Sequence, residues 1–254
     1  VVEPTGEFQP VLGVDVARFG EDDSVVYRVD YGVVMERRWA EEANEGIELP
    51  RAPKKDEKGD EVRGMRLRFV ESWHGAPLVT KIYPDGSTEM GTAERVHQLA
   101  ISIGAGSVRV DASGLGGGVA DRLWDLSGGG KHYEVVEVLG GAASPDRRQW
   151  YNNRAYQFDM LRLGMFQGYI DIDPRDEQLL DELSGIQYDF ADAASGGGLK
   201  IESKEAMKRR GVKSPDFADA AWYAVADLTG TSGLLPGDVM HTSMDSFVGD
   251  GRGD

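Results

Sequence analysis

Apolar residues in the first forty positions follow continuous or alternating patterns, which are typical of β-strands. The run "PVLGVDVARFG" ends in a glycine turn, and "DSVVYRVDYGVVMERRWAE" contains two further β-rich runs separated by "DYG". Three consecutive strands with tight connections make an antiparallel meander. The sequence therefore predicts that the chain opens with a three-stranded β-meander.

The next segment, residues 41–68, interrupts this pattern. It is charged, lacks clear periodicity and contains Pro50, Pro53 and the run "KKDEKGDE". These features predict an exposed insertion or a long loop, after which "RLRFVESW" is compatible with a returning strand.

From Thr92 onward the pattern alternates between helical and β periodicity. Residues 93–103 suit a helix, "GSVRVDA" a buried strand, "GGVADRLWDLS" a helix and "YEVVEVLG" a strand. Strands first and α/β alternation afterwards predict an α/β fold with a mixed sheet flanked by helices.

The C-terminal half adds helices and one hairpin. The longest helical pattern runs from Asp146 to Met165, followed by a helix over residues 175–185. A hairpin from "IQYDF" to "GLKIES", a basic helix and a final helix complete the predicted domain, residues 1–230. The remaining residues, 231–254, resemble a poorly ordered tail.

Composition excludes several classes of protein. The chain has no cysteine, which excludes disulfides and thiolate metal sites. No apolar run approaches the roughly 18 residues of a membrane span, and the N-terminus lacks a signal-peptide pattern. These features predict a soluble, intracellular protein without a membrane partner. The first residue is not Met, as expected of a processed chain or of a piece of a longer protein.

The formal net charge of −16 argues against binding nucleic acid through bulk electrostatics. One local segment, "KIESKEAMKRRGVK", nevertheless contains six Lys or Arg against two Glu. It is either a solvated helix face or a local track for phosphates.

Two carboxylates lie in or directly after apolar runs that predict buried strands. Asp15 is in the middle of the apolar run "LGVDVAR", where a carboxylate needs a metal, a basic partner or a substrate. An ion pair with Arg18 would satisfy that need equally well. Asp111 follows an apolar strand and precedes a glycine loop, a place where α/β sheets collect ligands. It could also simply cap that turn.

Two more carboxylates are on the final helix, within "KSPDFADAAWYAVAD". Ser214 as N-cap, Pro215 at the first helical position and an acid in the first turn are ordinary for a helix start, and they account for Asp216. They do not account for Asp219, which lies one turn later beside the apolar face.

Carboxylates from two strands and one helix can meet at one edge of a sheet and bind hard divalent cations through oxygen. Two such ions about 4 Å apart would activate a water and stabilise the charge that develops on a phosphodiester during in-line cleavage. This chemistry needs no Cys, His or Ser. It suits a chain whose four histidines show no HExxH arrangement.

At these residues the chain resembles a family. In order, "LGVDVARFGEDDSVV", "VRVDASGLGGGVADRL", "RRQWYNNRAYQFDMLRLG" and "LKIESKEAMKRRGVKSPDFADAAWYAVA" are similar to the C-terminal nuclease domain of the large terminase subunit of tailed phages. The resemblance covers roughly residues 9 to 229. It implies a ribonuclease H-like fold, Mg²⁺ or Mn²⁺ as cofactor (two ions), and cleavage of concatemeric viral double-stranded DNA during genome packaging.

The resemblance also assigns the site. It implies that Asp15, Asp111 and Asp219 are catalytic metal ligands and that Asp216 lies where some members place a further ligand. The basic segment would contact DNA phosphates. Its candidate residues are Lys204, Lys208, Arg209, Arg210 and Lys213.

One component of full-length large terminases has no counterpart in this chain. A packaging ATPase would need G-x-x-x-x-G-K-[ST], and "GGGKHY" has neither that spacing nor the hydroxyl residue. We therefore expect a monomeric nuclease domain acting in the host cytoplasm. In the full-length protein its partners would be the ATPase domain, the portal and the small terminase subunit.

Three other interpretations remain open. "GVDVARFG" and "VDASGLGGG" also resemble phosphate loops of actin-like ATPases. The chain could also be a docking module that binds other packaging proteins, in which the acids have no catalytic role. A Holliday-junction resolvase would use similar acids on the same fold. A Rossmann site is weaker, because "GLGGGV" does not give G-x-G-x-x-G.

Overall fold

A computed structural model of the chain describes residues 1–17, 22–39, 48–112, 116–192 and 197–226. The predicted tail, residues 231–254, and Arg18 lie outside these ranges. None of the helices described is long and apolar enough to cross a membrane.

The strands within these ranges are β1 (Val2–Pro4), β2 (Val11–Asp15), β3 (Asp23–Trp39), β4 (Glu48–Pro53), β5 (Arg63–His74), β6 (Lys81–Ile82), β7 (Thr88–Glu89), β8 (Ser107–Asp111), β9 (Glu134–Val138), β10 (Ile170–Asp171), β11 (Tyr188–Phe190) and β12 (Leu199–Ile201). The helices are α1 (Thr92–Ile103), α2 (Gly116–Leu126), α3 (Asn153–Phe166), α4 (Glu177–Gly185), α5 (Lys204–Arg209) and α6 (Asp216–Val225).

A mixed sheet forms the centre of the described fold, in the order β10-β5-β3-β2-β8-β9, with β1 and β4 also paired to β3. The pairs β2/β3 and β3/β5 are antiparallel. β8 runs parallel to β2, and β9 runs parallel to β8. This arrangement confirms the predicted fold class, in which an antiparallel meander precedes parallel strands and helices flank the sheet.

The meander differs from the prediction in its third strand. β3 continues without a turn through Asp30, Tyr31 and Gly32, and β5 supplies the third strand. Gly32 is needed because β1 passes close by. A Cβ atom at this position would lie 1.9 Å from the carbonyl oxygen of Glu3. The glycine therefore makes room for a neighbouring strand and does not mark a turn.

Residues 41–68 contain more regular structure than the predicted loop. Strand β4 lies within this segment and pairs antiparallel with β3, and β5 begins at Arg63. Within the described residues β4 is paired to β3 alone. An edge strand tolerates Pro50 and Pro53, because a proline there removes no hydrogen bond from a second neighbour. The charged, proline-containing segment therefore includes an edge strand of the sheet and is not only a loop.

Helix α3 is shorter than its predicted span. It begins at Asn153, because the side chain of Asn152 accepts a hydrogen bond from the Ala155 amide and caps the helix. Asp146 belongs to a preceding turn, in which its carbonyl accepts from the amides of Gln149 and Trp150.

Both faces of the sheet are covered by apolar residues. Val11 of β2 contributes to the core beneath α3, α4 and α6, while Leu12 and Val14 contribute to the core beneath α1 and α2. Helix α6 lies directly on β2 at Gly13, where a Cβ atom would be 2.2 Å from the Ala224 amide nitrogen. This close approach determines how far α6 stands from the strand that carries Asp15.

Candidate active site

Strand order and helix packing bring the candidate carboxylates to one edge of the sheet. Asp15 is the last residue of β2 and Asp111 is the last residue of β8, and these neighbouring strands are parallel. Helix α6 crosses β2 and carries Asp216 and Asp219 in its first turn. Carboxyl ends of adjacent parallel strands are the usual ligand edge of an α/β sheet.

Asp15 is almost fully buried in an acidic environment. Burial raises its pKa well above the ordinary value, and the negative charges of Asp219, Asp216 and Asp111 add to that effect, against the opposing charge of Lys204. The other three candidate carboxylates are therefore close enough to Asp15 for their charges to affect its pKa. Arg18, the alternative partner for Asp15, lies outside the described residues.

Asp219 is 1% exposed, and each of its two carboxylate oxygens has a polar neighbour. Its Oδ1 atom accepts from Trp222 Nε1 at 3.0 Å and lies 3.4 Å from Arg154 Nη2. Burial alone would raise the pKa of Asp219, but Arg154 and Lys204 outweigh burial and keep the pKa below its ordinary value. Asp219 is therefore ionised, whereas its neighbour Asp15 resists ionisation.

Lys204 lies between two of the carboxylates. Its ammonium is 2.8 Å from Asp219 Oδ2 and 3.8 Å from Asp15 Oδ2. Ser203 caps the short helix α5 by accepting from the Ala206 amide, so Lys204 begins that helix. Burial alone would lower the pKa of Lys204, but the two aspartates raise it. Lys204 therefore remains a cation.

Asp216 is held from outside its own helix. Its Oδ2 atom accepts from the Asp23 amide at 3.1 Å, which ties α6 to the start of β3. Burial raises its pKa, although a hydrogen bond from Ser214 opposes the rise. The predicted helix start is shifted by one residue, since Pro215 occupies the N-cap position and no side chain of the segment caps the helix there.

Asp111 closes β8 and is partly buried. A Cβ atom at Gly116, the first residue of α2, would lie 1.7 Å from the Asp111 carbonyl oxygen. The glycine at this position therefore allows α2 to begin directly beside Asp111.

The predicted basic residues fall into different environments. Lys204 points into the carboxylate site, where its ammonium lies against Asp15 and Asp219. Arg210 forms an internal clamp, because its Nε donates to Glu202 Oε2 at 3.0 Å and its Nη2 donates to the Gly185 carbonyl at 3.0 Å. Arg209 is exposed, and Lys208 and Lys213 line a cavity beside the site.

This cavity has a volume of about 560 Å³ and adjoins Asp216. Lys208 and Lys213 contribute positive charge, whereas Asp22, Asp23 and Glu182 contribute carboxylates. Its size is within the range of small-ligand pockets.

The donor set fits hard divalent cations in type. Asp219 Oδ2 is buried and accepts no regular hydrogen bond from the described residues, and its near neighbour is the Lys204 ammonium. In the present conformation, no three acidic or histidine side chains of the described residues are grouped closely enough to hold an ion. Binding would therefore require the lysine to withdraw and the carboxylates to close.

Sequence reasoning missed three residues that shape the site: Arg154, Trp222 and Glu182. Trp222 could have been found, because it follows Asp219 by three positions and so lies on the same helix face. Arg154 and Glu182 reach α6 from other helices, and only the tertiary fold brings them there.

The mixed sheet, with acids at the ends of β2 and β8 and on α6, defines a protein of ribonuclease H-like fold. Solved structures similar to this chain include the nuclease domain of the large terminase subunit gp2 of bacterial virus Sf6, with a TM-score of 0.55 and 18% identity over 87% of this chain and 89% of that chain. A mutant of that domain with manganese and β-thujaplicinol has a TM-score of 0.59 and 18% identity over 85% of this chain and 87% of that chain.

A third structure, a mutant with calcium, gives a TM-score of 0.57 at 17% identity over 85% of this chain and 87% of that chain. At this identity the likeness shows the fold. No family model matches the sequence, and no curated protein matches it.

Proposed function

We propose that this chain is a metal-dependent DNA endonuclease that cuts viral double-stranded DNA during genome packaging. The observation that carries the proposal is the position of four acids, Asp15, Asp111, Asp216 and Asp219, at one edge of the sheet. Two of them, Asp15 and Asp219, lie on either side of the Lys204 ammonium. Four acids at the ligand edge of a ribonuclease H-like sheet form a donor set suited to Mg²⁺ or Mn²⁺. Similar structures described with manganese and calcium support divalent metal use.

The residues have distinct roles in this proposal. Asp15, Asp111 and Asp219 would hold the metal, and Asp216 would contribute from the same first turn of α6 as Asp219. Two bound divalent ions supply an activated water and stabilise charge on the attacking and leaving oxygens. Arg154 and Trp222 hold Oδ1 of Asp219, which leaves Oδ2 for the metal. Asp23 fixes Asp216 through its amide.

The cavity beside Asp216 would receive DNA next to the cleaved bond. Lys208 and Lys213 offer charge to phosphates there, and Arg209 offers it at the exposed surface. The acids of the cavity oppose a phosphate in the metal-free protein. Bound divalent cations would offset that repulsion, so DNA binding and metal binding should reinforce each other.

The likeness to terminase nuclease domains supports this proposal over an actin-like ATPase. The ATPase interpretation also leaves Asp219 without a role. If the chain acts within a large terminase, its ATPase domain, portal and small subunit are partners of the whole protein, and host cytoplasm is the place of action.

The decisive experiment is cleavage of supercoiled plasmid with Mn²⁺, Mg²⁺ or EDTA. The purified chain is run beside Asp15→Asn, Asp219→Asn and the control Asp125→Asn, an exposed acid on α2. We expect nicking and linearisation that require metal, are abolished in the first two variants and persist in the control. Equal activity in all proteins, or none in the unmodified chain with either metal, would contradict the proposal.

A further inference from the structure

Helix α6, which carries two of the proposed ligands, starts without a cap from its own segment. Pro215 is at the N-cap position and provides no side-chain hydrogen bond. The first amides of a helix have no partner within the helix, and leaving them unpaired in a buried place costs stability. The amides of Phe217 and Ala218 therefore need an acceptor from elsewhere in the fold.

Glu182 of helix α4 provides that acceptor. Its Oε2 atom accepts from the Ala218 amide at 2.9 Å, and the Phe217 amide also bonds to this carboxylate. A carboxylate at a helix N-terminus also interacts favourably with the helix dipole. Glu182 thus performs, from a different helix, the role that an N-cap residue normally performs.

The helix that presents Glu182 is itself fixed at its start. Asp176 caps α4 by accepting from the Leu179 amide at 3.2 Å. The other oxygen of Asp176 accepts from the buried hydroxyl of Tyr27 at 2.7 Å. A continuous set of hydrogen bonds therefore runs from strand β3 through α4 to the first turn of α6.

The turn capped in this way contains both helical ligands. Asp216 and Asp219 lie on either side of the two amides that Glu182 binds, and the Asp219 amide makes a helical bond to the Pro215 carbonyl at 2.8 Å. If this turn frayed, both carboxylates would shift relative to Asp15 on β2. This external cap therefore contributes to the placement of both acids, beside the contacts that Asp23 and Arg154 make with them.

We infer that Glu182 is a positioning residue for the metal site, acting through the first turn of α6. The inference rests on the proposed function, because it assigns Glu182 a role in a site that binds divalent metal. Residues that support metal ligands typically change metal affinity 10- to 100-fold when they are removed. A merely structural residue would change the thermal stability and leave the metal affinity unaltered.

The test compares Mn²⁺ affinity, measured by calorimetry, in Glu182→Ala, Glu182→Gln and Leu183→Ala. Gln retains an oxygen acceptor, whereas Leu183 packs partly buried against the core from the same helix. We expect Ala to weaken Mn²⁺ binding about 10-fold, and Gln to stay within about threefold. Leu183→Ala should lower Tm without changing the affinity. If Glu182→Ala does not fold, Glu182→Asp replaces it. Asp keeps the negative charge but has a side chain too short to reach the α6 amides in the same way.

Three results would overturn the inference. Unchanged Mn²⁺ affinity in Ala or Asp would make Glu182 a stabilising residue only. If Glu182→Gln bound Mn²⁺ as weakly as Glu182→Ala, the charge of Glu182 would be the important property, and not its acceptor oxygen. Absence of Mn²⁺ binding in the unmodified chain would overturn the proposed function as well, so the two failures are distinguishable.

Discussion

The ammonium of Lys204 lies 2.8 Å from Asp219 Oδ2, which places a cation of the chain itself among the carboxylates proposed to bind metal. Like charges at one site repel one another, and an opposite charge relieves that repulsion. Lys204 therefore stabilises the metal-free protein and, in the proposed function, would compete with an incoming ion. Lys204 would thus favour folding of the metal-free protein while it disfavours metal binding.

Lys204→Met separates these effects. Without metal we expect a loss of about 2 kcal/mol, below the 3–5 kcal/mol for a fully buried pair because Lys204 is partly exposed. With Mn²⁺ we expect a larger rise in Tm than in the unmodified chain, because the competitor is absent. Differential scanning fluorimetry in EDTA and across a Mn²⁺ series measures both, with Lys208→Met as control. An equal or smaller metal-induced rise would argue against competition.

Neutralising two neighbouring acids, Asp15 and Asp219, should have unequal effects on the stability of the metal-free protein. Burial raises the pKa of Asp15, so Asp15→Asn removes a charge that the fold disfavours and should change stability by less than about 1 kcal/mol. Asp219 is held ionised by Arg154 and Lys204, so Asp219→Asn strands two cations and should cost about 3 kcal/mol.

Thermal melts in EDTA compare these two variants, and both should lose the Tm rise caused by Mn²⁺. For a chain of this size, 3 kcal/mol corresponds to roughly 6–12 °C. Equal losses of stability in the two variants would mean that Asp15 and Asp219 do not differ in ionisation.

The sequence predicted the convergence of the acids better than their electrostatics. Asp111 was predicted at the end of an apolar strand, where the α/β alternation places it at the ligand edge of the sheet. Asp15 was predicted in the middle of an apolar run, whereas it is the last residue of β2 in the structure. Asp219 followed from helical spacing. Lys204 was predicted to contact DNA phosphates, and its contact with two buried carboxylates was not predicted, because a basic helix looks the same in sequence whether its first lysine faces solvent or a carboxylate.

The parts that the sequence could not predict depend on contacts between distant segments. Gly32 has the local signature of a turn, and only the passage of β1 explains it otherwise. The cap from Glu182 connects residues 36 positions apart, and no local pattern marks an acceptor supplied by another helix.

Glu182 should give the metal-free protein a distinct pH dependence. Burial raises its pKa from 4.5 to about 7 in the folded chain. Its protonated form is therefore favoured by folding, and this stabilisation is full below pH 4.5 and is lost as the pH rises through 7. A shift of this size corresponds to about 3 kcal/mol at most, and about 1–2 kcal/mol after allowance for its partial exposure.

Glu182→Gln cannot titrate, so its stability should fall less than that of the unmodified chain between about pH 5 and pH 8. Asp15 and Asp216 also have raised pKa values and remain in both proteins, so the difference between the two curves reports Glu182 together with its charge interaction with Asp216. Urea denaturation in EDTA at several pH values measures it. Parallel curves would show that Glu182 does not titrate in this range.

The lysines at the cavity should affect DNA binding through charge. Lys208→Glu and Lys213→Glu should each weaken binding of duplex DNA and reduce the slope of log affinity against log salt by about 1 for each phosphate that is no longer bound. Fluorescence anisotropy with a labelled duplex in Ca²⁺, across a salt series, measures the slope. Lys131→Glu, an exposed residue after α2, is the control. Slopes that match this control would place the DNA elsewhere.

Arg154 and Asp219 should be energetically coupled, because Nη2 of Arg154 lies 3.4 Å from Asp219 Oδ1 and both side chains are largely buried. Arg154 also donates to the Glu202 carbonyl at 2.9 Å and lies 4.9 Å from the centre of the Phe158 ring, so Arg154→Met removes more than the ion pair. A double-mutant cycle with Asp219→Asn separates the pair from these other contacts, since they are absent from both arms that carry Arg154→Met.

We expect a coupling energy of about 1–2 kcal/mol from urea denaturation in EDTA. Arg162→Met provides the matched control, because Arg162 lies on the same helix but pairs with Asp159 at 2.7 Å. Its cycle with Asp219→Asn should be additive within about 0.5 kcal/mol. If the Arg154 cycle were equally additive, the ion pair would contribute nothing to holding Asp219 ionised. The low pKa of that carboxyl would then have to come from Lys204 and the Trp222 hydrogen bond, which would make the lysine more costly to displace when metal binds.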